Sequence, residues 1–370
     1  MSQQQALRSV EDVDVIVDAD AHTWEDASTI VPYIDESYHG MKDLYFDNPS
    51  VNDLFTLSAS TPHAFPERLY RAEDHDNGSE FRYEHKINEM DDFDIEYSYL
   101  TPTLALGINT VNNDRAAVAL ANGFNNYVLD EFLDGDRIKA GITVAPQKPH
   151  LAAEEIDRLA DEDGFSAVSI AMTGMKLGAG HEFYDPIYEA AQDHGLPVTY
   201  HPVNSGMTTE LPTLYDKCQT WSEQHLFGHM LSNMMGLGMM MFRGLPERFP
   251  DLEFVIQEAG LSWAATLKLR LDDHYMEHAD EIPYLRRLPS EYMDEQFYFT
   301  TQPLGMPANP KHLAYMVEIV GTDSVMYSAD LPHVDFDPPT ELFDRVQSSF
   351  DDEDLQKIMG GNAVDVFNLE

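Results

Sequence analysis

Cysteine is almost absent from this chain of 370 residues. Its single cysteine, Cys218, has no partner for an internal disulfide, and the expected role is that of a small buried hydrophobe. Basic residues are scarce too. Lys and Arg number 22 against 66 Asp and Glu, a formal net charge of -44. Nothing supplies the basic stripe that a nucleic-acid partner requires. No apolar run approaches the roughly 20 residues needed to cross a bilayer. Met1 to Asp12 is polar and has no apolar signal core. Internal repeats and low-complexity segments are missing as well. These absences predict a soluble, cytoplasmic protein whose partners are neither nucleic acid nor membrane.

The acids are spread along the chain, not gathered in a tail. Even Asp161-Glu162-Asp163 and Asp351-Asp352-Glu353-Asp354 sit beside helical sequence. Such a surface repels itself in dilute buffer. Molar salt shortens the Debye length to ~3 Å and screens that repulsion. The expectation is a protein suited to a salt-rich, halophilic cytoplasm.

What is present is core material: 43% of residues are hydrophobic and 11% aromatic. Short β-like runs alternate with helical stretches. The runs are Val13–Val17, Tyr97–Leu104, Ile138–Val144, Ala167–Met172, Val198–His201, Phe254–Gln257, Phe297–Thr301 and Val325–Ala329. Between them, Asp114–Leu133, Pro186–Asp193, Ser222–Glu247 and Leu261–Glu277 carry helical periodicity, with Asp114 as a cap for the first. Alternation of this kind predicts parallel βαβ units, and a count of eight favours a closed (β/α)8 TIM barrel. The whole chain, 1–370, reads as one such domain. Residues 23–83, rich in Pro, Ser, Asp and His, read as an insertion after strand one that forms a lid or rim. Met230, Met234, Leu237 and Met241 share one helical face, which reads as core packing or a subunit contact; a homodimer is one expectation.

Barrel enzymes place their chemistry at the carboxyl ends of the strands. Strand one ends in Asp20-Ala21-His22, whose alternation points Asp20 and His22 the same way. Strand five ends in His201 and strand eight in Asp330. If the barrel closes, two imidazoles and two carboxylates converge. That set suits one divalent ion, zinc above all, with manganese or iron compatible. Fewer than six protein ligands leave a position for water or a small-molecule substrate. Glu258, after strand six, is a second acid–base candidate beside Asp330. His225, His333 and Trp263 are candidates to contact substrate. His225 and His229 stand one helical turn apart, a spacing that suits pocket lining or packing and is also compatible with a metal. Glu25 is a candidate support for His22.

These landmarks resemble the amidohydrolase superfamily, in the amidohydrolase 2 branch that includes α-amino-β-carboxymuconate-ε-semialdehyde decarboxylase and related aromatic-acid decarboxylases. The resemblance runs from Val15 to Leu369. It rests on Asp18-Ala19-Asp20-Ala21-His22, Met90-Asp91-Asp92-Phe93-Asp94-Ile95, Tyr184-Asp185-Pro186-Ile187-Tyr188-Glu189, His201-Pro202, Arg248-Phe249-Pro250-Asp251-Leu252, Glu258-Ala259-Gly260, Ser328-Ala329-Asp330-Leu331-Pro332-His333 and Gly360-Gly361-Asn362-Ala363. It implies a metal-dependent lyase or hydrolase, with Asp20, His22, His201 and Asp330 as ligands and Asp330 as proton carrier. Decarboxylation of a small carboxylated aromatic or unsaturated substrate is the activity it favours. Hydrolysis of an amide, lactone or ester is the alternative, and a non-catalytic metal-binding scaffold a more distant one. The chain departs from the pattern in three places. Asp20-Ala21-His22 replaces His-X-His, Glu258 replaces a strand-six His, and strand four ends in Ser169-Ile170-Ala171-Met172 with Lys176 only later. The last departure removes the bridging Lys of binuclear members and favours one metal.

Overall fold

The computed structural model describes residues 7–25, 27–38, 82–103, 105–133, 135–203, 217–305, 309–333 and 335–369. Eight strands form one sheet in sequence order: β1 (Val17–His22), β2 (Tyr97–Thr101), β3 (Ile138–Thr143), β4 (Phe165–Ala171), β5 (Val198–His201), β6 (Phe254–Ile256), β7 (Phe297–Thr300) and β8 (Val325–Met326). Each neighbouring pair is parallel. The two edges meet. Ala19 donates its N–H to Tyr327 O at 3.1 Å, and His22 donates to Leu331 O at 2.7 Å. The result is the expected (β/α)8 barrel. Of the segment 23–83 expected to form a lid or rim, residues 26 and 39–81 lie outside the described residues.

The strands alternate between two apolar clusters. Val17, Ala19, Tyr99, Ala167, Val255 and Met326 pack together inside the barrel. Their strand neighbours, such as Leu100, Val168, Phe254, Ile256 and Val325, belong to the larger core shared with the helices. Residues of the C-terminal stretch, Ala363, Val366, Phe367 and Leu369, close the inner cluster. Phe367 stacks on Tyr99 with ring centroids 4.3 Å apart. Gly141 explains how β3 passes so close to its neighbours: a Cβ there would stand 2.6 Å from Ser169 Cβ.

Helices fill the crossovers. Those that bear on the site are α1 (Tyr83–Asp92), α2 (Asp114–Glu131), α3 (Pro149–Leu159), α4 (Asp185–Asp193), α5 (Trp221–Phe242) and α6 (Ser262–His278). Alanines at 116, 117, 119 and 121 let α2 lie flat on the barrel, each nearly fully buried. α5 opens with a capping box, in which Thr220 accepts from Glu223 N–H.

Several expectations need correction. Strand one lies not over Val13–Val17 but over Val17–His22, because the polar Asp18, Asp20 and His22 all find partners inside the protein and stay buried. A register shift between Asp18 and Ala21 re-phases that strand. Strand eight is shorter than Val325–Ala329, because Tyr327 N–H turns to Ile358 O and Ala329 N–H to Asp18 Oδ1. Asn113, not Asp114, caps α2, accepting from the N–H groups of Arg115 and Ala116. The helix expected over Ser222–Glu247 breaks at Gly244, whose φ of +68° starts a separate turn, Leu245–Arg248. The Met-rich face, by contrast, packs into the core as one of its two readings expected, with Leu237 and Met241 fully buried and Met230 and Met234 packed against that core. Cys218 is only partly buried.

Candidate metal centre

At the carboxyl ends of the strands the expected residues come together. The donor atoms of Asp20, His22 and His201 all lie within 4.8 Å of one another, as do those of His22, Asp330 and His333. His22 Nε2 stands 3.2 Å from Asp330 Oδ1 and 3.8 Å from Asp20 Oδ1. His201 Nε2 stands 3.8 Å from Asp20 Oδ2 and 3.3 Å from Glu258 Oε2.

The far side of each imidazole sets its tautomer. His22 Nδ1 is 3.2 Å from Pro102 O, and His201 Nδ1 is 2.6 Å from Pro202 O. A carbonyl only accepts, so each Nδ1 carries the proton and each Nε2 turns a lone pair toward the carboxylates. Burial also pushes both imidazoles toward neutrality. It is the main cause that lowers His22 well below its usual value and His201 to about 3. Neutral imidazoles are the form that binds metal.

Asp20 is anchored on one oxygen only. Thr101 Oγ1 donates to its Oδ1 at 3.2 Å, and Gln257 Nε2 donates to it at 2.8 Å. Its Oδ2, with His22 Nε2 and His201 Nε2, is buried and has no hydrogen-bond partner. Leaving such groups unsatisfied costs about 1–3 kcal/mol each, more if charged. A cation among them satisfies all three, so these residues fit a divalent ion.

Asp330 leaves β8 with φ +64°. Its Oδ1 lies 2.5 Å from His333 Nδ1. Burial raises the Asp330 carboxyl above its usual value, against the opposing pull of His333. Burial disfavours charge on His333, but the Asp330 carboxylate overcomes it and lifts that imidazole to about 9.

Glu258 follows β6 and faces α5. His229 Nδ1 is 2.9 Å from its Oε1, and His225 Nε2 is 3.7 Å away. Burial alone would raise the Glu258 carboxyl; His229, His201 and His225 together hold it below its usual value. His229 is lifted in return by Glu258, against the effect of burial. Trp263, at the start of α6, is buried with its ring edge-on to Phe299 at 5.8 Å. Glu25 does not touch His22. It accepts from Thr23 Oγ1 at 2.7 Å, Thr103 N–H at 3.1 Å and Ala105 N–H at 2.8 Å, and Thr103 Oγ1 in turn sits 3.3 Å from His22 Nδ1. Lys176 is exposed and belongs to none of these groups.

Four supporting residues were not among the expected site residues. Gln257 and Thr101 hold Asp20, and period-two continuation of β6 and β2 toward the barrel mouth is the signal for them. Asp18 accepts from Ala329 N–H at 2.8 Å and Asp20 N–H at 3.2 Å, tying β1 to the turn after β8. Burial raises its carboxyl to about 6. Lys86 on α1 is fully buried and donates to Leu331 O at 2.9 Å, bracing the residue after Asp330. Its spacing of four from buried Met90 marks the same helix face.

Comparison with known proteins agrees with this architecture. An amidohydrolase from Mycobacterium avium subsp. paratuberculosis K-10 superposes with a TM-score of 0.73 at 19% identity, over 95% of this chain and 99% of that one. The 5-carboxyvanillate decarboxylase of Novosphingobium aromaticivorans DSM 12444, with bound manganese and 3-methoxy-4-hydroxy-5-nitrobenzoic acid, gives 0.67 at 19% identity, over 96% and 97%. A dihydroxybenzoic acid decarboxylase from Polaromonas sp. JS666, with manganese and 2-nitroresorcinol, gives 0.65 at 17% identity, again over 96% and 97%. The family model described as amidohydrolase (Amidohydro_2) matches residues 17–369, and the chain belongs to that family.

Proposed function

We propose that this protein is a metal-dependent carboxy-lyase, which removes CO2 from a small aromatic or unsaturated carboxylic acid with a divalent ion held by Asp20, His22, His201 and Asp330. One observation carries the reading. Two buried imidazoles give their Nδ1 protons to backbone carbonyls and turn bare Nε2 atoms toward two carboxylates. Membership of the amidohydrolase family supports catalysis, and the two decarboxylases of like fold support this reaction. Two imidazoles and two carboxylates suit zinc or manganese, and manganese is the ion those two enzymes hold.

When bound, the ion would supply positive charge that fixes a substrate carboxylate or neighbouring hydroxyl and favours the ionised hydroxyl, which places electron density on the reacting carbon. The protein's own groups handle the proton. Asp330 relays the proton of its hydrogen bond with His333 to the carbon as the carbon's bond to the carboxylate breaks and CO2 leaves. His333, 2.5 Å away, restores that proton. Glu258, set against His201, His229 and His225, is the second carboxyl at the site able to exchange a proton. His225 and His333 are partly exposed at the site and Trp263 is buried. A salt-rich cytoplasm is the setting that the acidic composition suits.

The test begins with elemental analysis of protein purified in high salt, wild type beside Asp20→Ala/His22→Ala. The variant is expected to hold about one manganese or zinc fewer per chain. Incubation of the loaded wild type with hydroxybenzoic acids is expected to release CO2. Asp330→Asn is expected to lose about 10²–10⁴-fold in rate while its melting temperature stays near that of wild type. Equal metal in the Asp20→Ala/His22→Ala variant, or full activity in Asp330→Asn, would overturn the assignment. Turnover of an ester or amide without CO2 release would replace lyase by hydrolase.

A further inference from the structure

A third group of metal-ligating side chains stands beside the centre: His225, His229 and Glu258, whose donor atoms also lie within 4.8 Å of one another. α5 is built to face it. His225, His229 and Asn233 follow one another at intervals of four along that helix, so all three share one face. Asn233 Nδ2 donates to Gln257 O at 2.9 Å and to Glu258 O at 3.3 Å, which clamps the backbone of the acid. One turn earlier His229 meets the carboxylate, and one turn before that His225 does. The two rings lie 4.2 Å apart between centroids.

The acid itself is held in a costly conformation. Glu258 and Ala259 have φ of +55° and +67°, both left-handed and neither a glycine. Such residues cost about 1–3 kcal/mol each and persist only where the surroundings enforce them. Here Thr300 Oγ1 accepts from Glu258 N–H at 2.8 Å, and Gly260 N–H donates to Gln302 O at 3.0 Å. The outcome is a carboxylate with one oxygen toward each donor group. Oε1 faces His229 and His225, and Oε2 faces His201 Nε2 at 3.3 Å, buried and without a hydrogen-bond partner. That is how a carboxylate bridging two ions is disposed.

The distances fit. Bonds of about 2.0–2.1 Å to nitrogen and oxygen at tetrahedral angles put ligand atoms about 3.3 Å apart. The contacts of Glu258 Oε1, 2.9 Å to His229 Nδ1 and 3.7 Å to His225 Nε2, bracket that value.

We propose that His225, His229 and Glu258 form a second divalent-cation site, joined to the first through the Glu258 carboxylate. Two imidazoles and one carboxylate leave a coordination position open, as in the catalytic His2Glu zinc sites. The proposal rests on the first site as read above, and metal counting separates the two. Chelator-treated protein is titrated with Mn2+ in high salt. Bound metal is counted per chain, and the electron paramagnetic resonance spectrum is recorded. Wild type is expected to saturate at two ions per chain with a spin-coupled signal. His225→Ala/His229→Ala is expected to saturate at one, with the six-line signal of isolated Mn2+, and circular dichroism reports whether it is folded. His225→Gln/His229→Gln, closer in volume, replaces it if the alanine variant unfolds. Saturation of wild type at one ion, lost in Asp20→Ala/His22→Ala, would overturn the second site alone and leave an imidazolium–carboxylate pair in its place. Two ions in the folded His225/His229 variant would also overturn it. Metal that survives Asp20→Ala/His22→Ala in full would count against the first site instead.

Discussion

Asp330 and Glu258 leave their strands in the left-handed region, with φ of +64° and +55°. An L-residue resists that conformation, because its Cβ crowds the following carbonyl. The chain accepts the cost at two acids that enter one site, Asp330 against His22 and His333 and Glu258 against His201, His225 and His229, and the strain points to a site where placement matters more than local stability. Nearby, Asp337 carries a pH signature free of the metal ligands. Burial raises its carboxyl from 3.8 to about 6, though it accepts from Leu304 N–H at 2.8 Å. The folded state thus holds the Asp337 proton more tightly than the unfolded state does. As pH rises from about 4 to about 6, the unfolded chain ionises first, so stability falls over that window and levels off above it. Asp337→Asn lacks this loss. Its urea midpoint, relative to wild type, is expected to rise between pH 4 and pH 6.5; a constant difference would remove Asp337 from the account.

Elements place the site more than side chains do. Each candidate ligand sits at or just beyond the carboxyl end of β1, β5, β6 or β8, or on the face of α5 that looks at them. The strands were legible because most alternate between two apolar clusters, and the helices because their apolar stripes recur at helical spacing. Strand one was misplaced because its polar residues broke the apolar pattern, and only partners from β2, β6 and β8 make them ladder positions. Caps were half legible: the neighbouring Asn113 and Asp114 are both acceptable, and the backbone geometry picks Asn113. Asn113→Ala is expected to cost about 1 kcal/mol, seen as a lower urea midpoint with an unchanged slope. Asp114→Ala is expected to lack the capping loss. The reverse order would return the cap to Asp114.

The molecule as a whole carries a formal charge of -44. Exposed ion pairs are worth at most about 1 kcal/mol each, so they do little to offset that repulsion. Screening does more: the Debye length falls from about 10 Å at 0.1 M salt to about 3 Å at 1 M. The thermal midpoint is expected to climb steeply between 0.1 and 2 M KCl. A flat profile would mean that the acids are spaced widely enough to ignore one another.

The barrel and the family were determined by the sequence alone, and Asp20, His22, His201 and Asp330 could be picked from it as candidate ligands, because strand ends and apolar periodicity are local properties. Tertiary structure decided what meets what. Nothing in the spacing of Glu258 and His229 brings them within 2.9 Å; that contact exists because α5 folds back over β6. Nor does the chain order announce that Gln257 and Thr101 hold Asp20, or that Lys86 braces the turn after Asp330. Those contacts span 81 to 245 positions of sequence, and closure of the barrel alone brings such distant residues together.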